Sequence, residues 1–126
     1  MLHRSRHRGF TLIELLVVMA IIGVLLSIAA PRYFNHVEKA REGALKQSLA
    51  VMRDAIDKFY ADTEHYPASL GELVEKRYLR SLPEDPYTGM RDSWQTESPP
   101  EGGEGVFDVR SGASGTAADG APLGEL

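Results

Sequence analysis

Leu12 to Ala30 is an apolar run of 19 residues that contains one charge, Glu14. A helix through it measures about 28 Å, against a hydrocarbon core of roughly 30 Å in a bilayer. The segment before it carries Arg4, Arg6 and Arg8 and no acid. Basic flanks stay cytoplasmic, so the pattern predicts a single-pass span with residues 31–126 on the far side. Glu14 is the residue that needs a reason. At the centre of a bilayer a carboxylate costs roughly 2.5–3.5 kcal/mol on insertion scales, and intramembrane acids are functional candidates by default. Glu14 lies only two residues into the run, so its cost is lower, but a partner is still expected.

Two simpler readings leave this acid without a purpose. A plain single-pass anchor has no need of Glu14. A secretory signal peptide, with Ser27-Ile28-Ala29 as a small-x-small cleavage site, would have an apolar region longer than the usual ~7–15 residues. The N-terminus of the mature chain separates the readings: Ala30 for a signal peptide, Met1 for an anchor.

The six residues Gly9-Phe10-Thr11-Leu12-Ile13-Glu14, set between the basic leader and the apolar run, resemble the class III signal of type IV pilins and of the pseudopilins of type II secretion. The resemblance implies cleavage by a prepilin peptidase between Gly9 and Phe10, with N-methylation of the new Phe10 terminus. Glu14 then becomes the fifth residue of the mature chain. It implies that Glu14 of one subunit binds the Phe10 amine of its neighbour during filament assembly. Within one chain the same two groups are four residues apart, about 6 Å of helix rise, so an intramolecular pairing is also open. Either pairing offsets the desolvation of both charges, and only the intermolecular one gives a polymer its register.

Composition narrows the alternatives. A length of 126 residues allows one domain beyond the span. Of the 14 Lys and Arg, three leave with the leader, so 11 face 18 acids and the mature side chains sum to −7. No basic cluster with interleaved aromatics follows residue 31, which argues against nucleic-acid binding. There is no cysteine, hence no disulfide, thiol nucleophile or thiolate metal site. His36 and His65 stand far apart and form no zinc-type pair. No nucleophile elbow, phosphate loop or dinucleotide fingerprint is present, so nothing points to an enzyme.

Beyond Pro31 the helix pattern continues in amphipathic form to about Ala61. Val37, Ala40, Ala44, Leu45, Ser48, Leu49, Met52, Ala55, Ile56, Phe59 and Tyr60 make one stripe. Glu42–Lys46, Arg53–Asp57 and Asp54–Lys58 are favourable pairs on the other, solvated face. Pro31 lacks an N–H and crowds the preceding turn, and Gly23 lowers helix propensity, so a kink or loosening is expected there. The resemblance adds that the Gly23–Pro31 segment loses regular helix in assembled filaments. Ser69-Leu70-Gly71-Glu72 fits a capping box and opens a second helix expected to end near Arg80. Ser93–Thr96 and Val106–Arg110 read as short strands, the latter with Val106, Asp108 and Arg110 on one side. Residues 111–126 show no periodicity and read as a Gly/Ala/Ser tail.

Tyr66-Pro67, a short helix, then Leu82-Pro83-Glu84-Asp85-Pro86-Tyr87-Thr88-Gly89 is similar to the major pseudopilin of type II secretion in particular. That family carries a calcium loop near its C-terminus. Asp108-Val109-Arg110-Ser111-Gly112 matches its opening, but Ser114 stands where an aspartate is expected, and Asp119-Gly120 comes five residues later. The resemblance makes Ser111, Ser114 and Asp119 candidate calcium ligands; the alternative is an ordinary Asp-Gly turn.

The expected fold is α+β: a long N-terminal helix of the pilin type, a second short helix and a small C-terminal antiparallel sheet. The expected division is a leader at 1–9, a transmembrane assembly helix at 10–31 and a periplasmic domain at 32–126. The resemblance implies an inner-membrane subunit of a periplasmic secretion filament. Its partners would be other copies of itself, other pseudopilins, the prepilin peptidase and the inner-membrane platform, with calcium the one possible cofactor. A type IV pilus subunit, used for adhesion or twitching, is the nearer alternative; missing cysteines and the Asp-Pro-aromatic loop weigh against it. A membrane-tethered periplasmic binding module is the more distant one.

Overall fold

The computed structural model describes residues 9–126. The leader arginines therefore lie outside the described residues. The chain forms two compact units, one up to Val37 and one from Glu38 to Leu126.

Helix α1 runs Leu12–Thr63. Thr11 caps it: the Thr11 Oγ1 accepts the Glu14 N–H at 3.1 Å. The Thr11 carbonyl accepts the Leu15 N–H at 3.2 Å, closing the first turn. The first unit holds the apolar part of this helix, and its large side chains are exposed throughout, from Leu12 to Ile28. It is long and apolar enough to cross a membrane. In the single chain α1 is continuous through Gly23 and carries Pro31 inside it. Proline removes only one ladder donor, and continuous helix on both sides of it holds the geometry.

In the second unit α1 becomes amphipathic. Leu45, Leu49, Met52, Ala55, Ile56 and Phe59 are its buried residues. The stripe is narrower than the sequence suggests: Ala40, Ala44 and Tyr60 are exposed and Val37 is half-buried. Helix α2, Leu70–Glu75, starts on Ser69, whose Oγ accepts the Glu72 N–H at 3.3 Å. The Glu72 carboxylate reaches back to the Ala68 N–H at 2.6 Å, one residue before the cap.

α2 stops at Glu75, five residues short of Arg80. The Tyr78 N–H bonds Leu73 O at 2.8 Å and the Arg77 N–H bonds Val74 O at 3.1 Å. Arg77 sits in the left-handed region with φ 65°. This paired arrangement is a Schellman ending, in which the C-terminal carbonyls are satisfied by chain reversal. It brings Tyr78 edge-on to Phe59, ring centroids 5.3 Å apart.

Strands β1 (Gln95–Glu97) and β2 (Asp108–Arg110) pair antiparallel with Thr96 opposite Val109. Val109 is the residue that turns inward, fully buried, while Asp108 is half-buried and Arg110 exposed. The strand is thus shorter than Val106–Arg110, and Val106 is buried from the loop before it. Two three-residue strands are marginal alone, and Val109 attaches them to the core made by α1 and α2.

Residues 111–126 are ordered, contrary to the tail expected from composition. Ser111, Ala117 and Leu123 are buried. Thr116 bridges to Pro122, the Leu123 N–H bonds Gly115 O at 3.1 Å, and a 3-10 turn closes Leu123–Glu125. Without periodicity, this segment is held by isolated apolar anchors between turns.

Candidate functional site

Gly9 and Phe10 precede α1 in irregular, exposed backbone, with Phe10 86% exposed. Among the described residues, its chain neighbours aside, no atom lies within 4 Å of the position a Cβ on Gly9 would take. A bond in that setting reaches a protease without unwinding a helix. Glu14 follows in the first turn of α1, exposed, where a carboxylate is favoured by the partial positive charge of the helix N-terminus. Thr11-Leu12-Ile13-Glu14 has the spacing of a capping box, and the Thr11–Glu14 bond supplies half of it. That signal was present in the sequence and points to a second, local duty for Glu14.

In the second unit the main polar centre is Arg53, which the sequence places on the solvated face as a partner of Asp57. It instead donates from Nε to Asp108 Oδ1 at 2.8 Å, from one terminal nitrogen to Leu126 O at 3.1 Å and from the other to Val109 O at 3.0 Å. The guanidinium thereby ties α1 to β2 and to the last residue. Nothing in local periodicity reveals partners so distant in sequence. Glu42–Lys46 and Asp54–Lys58 form as expected, at 3.3 and 2.9 Å.

Two of the three expected calcium ligands hold internal hydrogen bonds. Ser111 is 4% exposed; its Oγ donates to Asp85 Oδ2 at 2.5 Å and accepts the Ala113 N–H at 3.1 Å. The Asp119 Oδ1 accepts the Ala121 N–H at 3.0 Å within the Asp-Gly turn. Ser114 is exposed. Among the described residues no three His, Cys, Asp or Glu side chains are grouped to hold a metal. One carboxylate and two hydroxyls, the buried one already bonded at both roles, are only part of the six to eight oxygens the ion takes, and backbone carbonyls would have to supply the rest.

Asp85 is fully buried in the Leu82–Gly89 loop. Its Oδ1 accepts the Tyr87 N–H at 2.8 Å, and its backbone bonds Met90 and Gly89. The Trp94 indole N–H bonds Pro83 O at 2.8 Å. This loop is thus a folded clasp over the C-terminal segment. Around it, burial first and then Glu38 and Glu42 push the Tyr87 phenol above its ordinary pKa, while Arg41 lies over its ring at 5.5 Å.

A processing-type N-terminal motif on an exposed apolar helix, joined to a small α+β unit, defines a pilin-like subunit. Residues 4–30 match the model of the prokaryotic N-terminal methylation motif. Relatives called type II secretion system core protein G align along most of the chain. That of Dickeya chrysanthemi is 34% identical, covering 84% of this chain and 76% of the relative. That of Vibrio cholerae serotype O1 is 30% identical, covering 90% of each. That of Klebsiella pneumoniae is 33% identical, covering 85% and 84%. No solved structure matches. The chain belongs to the type II secretion system core protein G family.

Proposed function

We propose that this chain is a pseudopilin, a structural subunit of the periplasmic filament of a type II protein secretion system. The observation that carries this reading is Gly9–Glu14 standing immediately before an exposed apolar helix in a chain of this family. The subunit is held in the inner membrane by α1, with residues from about 32 onward in the periplasm. A prepilin peptidase cuts between Gly9 and Phe10, and Phe10 becomes the methylated N-terminus. The role is structural, and the chain is a substrate of the peptidase.

The physical case for Glu14 rests on the cut. Cleavage places an ammonium on Phe10 beside the positive end of α1, an unfavourable location for a cation. The chain has one acid in the apolar run to offset it, Glu14. A neighbour's Glu14 satisfies the ammonium and fixes the axial step between subunits at the same time. Exposed apolar side chains from Leu12 to Ile28 then pack on equivalent helices as subunits leave the lipid. Other pseudopilins and the inner-membrane platform are the further partners.

We propose also that the C-terminal loop closes without calcium, through Ser111–Asp85 and the Asp119 turn, because those bonds use the groups a cation would need.

The test is a clean deletion strain beside wild type and a complemented strain. Specific exoproteins are expected to vanish from the medium and to accumulate in the periplasm. An unchanged profile would overturn the secretion reading.

A further inference from the structure

At the end of α1 a groove of about 570 Å³ lies between the helix terminus and the 99–104 loop. Its lining includes the rings of Tyr60, Tyr66 and Phe107 and the carboxyl-bearing residues Glu64, Glu101 and Glu104. Tyr60 stacks on Tyr66 with centroids 4.5 Å apart, and Phe107 meets Tyr66 edge-on at 5.4 Å. Tyr60 remains 44% and Phe107 38% exposed. No lysine or arginine lines the groove.

We infer that this groove is a recognition site for an arginine side chain presented by a basic segment of a partner protein. The inference is independent of the proposed function. Aromatic faces attract cations, and a planar guanidinium stacks on a ring while its N–H groups fork toward carboxylates. A lysine ammonium satisfies the charge but not the stacking. The groove is also shaped by its backbone. Gly105, at φ 110°, passes so close to Tyr66 that a Cβ there would come within 2.8 Å of the Tyr66 Cβ. Gly102 and Gly103 take left-handed φ values of 81° and 126° in the rim.

Calorimetry on the full chain in non-ionic detergent micelles tests the site, with hexaarginine and hexalysine amides as probes. Hexaarginine is expected to bind saturably and about threefold or more tighter than hexalysine. Tyr60→Ala, which leaves net charge unchanged, is expected to weaken hexaarginine about fivefold. Glu101→Gln with Glu104→Gln, both on the exposed loop, is expected to weaken it about tenfold. Glu75→Gln with Glu84→Gln removes as much charge elsewhere and is expected to leave affinity unchanged. Absence of saturable binding overturns the proposal. So does equal affinity for the two peptides, or a loss in the Glu75/Glu84 pair as large as in the Glu101/Glu104 pair.

Discussion

The Ser111 hydroxyl donates to Asp85 Oδ2 at 2.5 Å, joining the Leu82–Gly89 loop to the segment after β2 across 26 residues of sequence. Asp85 is a wholly buried carboxylate, so each donor it has is needed. Its other oxygen is served by the Tyr87 amide. Ser111→Ala removes one donor and leaves that oxygen without a partner, which costs about 1–3 kcal/mol. Urea unfolding of the full chain in micelles measures it. A variant as stable as wild type would show that the pair does not hold the loop.

Calcium is expected to leave the melting temperature unchanged relative to chelator in wild type, and also in Asp119→Ala, whose own melting temperature is lowered by loss of the turn bond. The reason is that Ser111 and Asp119 already hold internal bonds. A calcium-dependent rise abolished by Asp119→Ala would restore the ion to the C-terminal loop.

Gly112→Ala is expected to be among the most damaging single changes in the second unit. A Cβ at Gly112 would lie 2.1 Å from the Ser93 carbonyl oxygen, which is backbone and has no rotamer to change. Relieving such overpacking costs typically about 1–3 kcal/mol or more. Thermal melts of the purified variant read the loss directly.

Arg77→Gly should act in the opposite direction. Arg77 occupies the left-handed position of the α2 ending, where a side chain is strained and glycine is not. A gain of about 0.5–1 kcal/mol is expected, less the entropy glycine adds to the unfolded chain. A lowered melting temperature would indicate that the Arg77 side chain has a duty of its own.

Three tyrosines set an alkaline limit. The hydrogen bond to Asp62, at 2.6 Å, chiefly holds the Tyr78 phenol above its ordinary pKa. Burial chiefly does so for Tyr66 and Tyr87. A raised folded-state pKa means the native state keeps its proton longer than the unfolded state. The stabilising share is therefore complete below about pH 10, the unfolded value, and is lost as pH rises through the folded values. Phenolate absorbance during titration is expected to lag behind that of the urea-unfolded chain.

Glu14→Gln separates the two duties of that residue. Glutamine leaves the Thr11–Glu14 backbone cap in place but removes the charge. Cleavage at Gly9 and membrane insertion are expected to persist while filaments fail to form. Normal filaments from this variant would reduce Glu14 to a helix-start residue.

The helices and the N-terminal motif were readable because they are local. Apolar spacing from Leu45 to Phe59 and the Ser69–Glu72 box each span a few residues, and both appear as expected. The end of α2 was not readable, because a left-handed Arg77 has no compositional signal where glycine would. Nor was the role of Arg53, which by spacing belonged with Asp57 and by structure belongs to Asp108. Order in residues 111–126 was hidden for the same reason: Ala117 and Leu123 are single anchors without a period.

The Arg53 bonds reach residues 55, 56 and 73 positions ahead of it. Loop closure over such distances is slow and is rewarded only once the far partners exist. A chain stopped at β1 would lack all three of these acceptors. The Arg53 guanidinium is therefore satisfied only once Asp108, Val109 and Leu126 are in place, which makes this one α1 side chain a reporter of whether the second unit has closed.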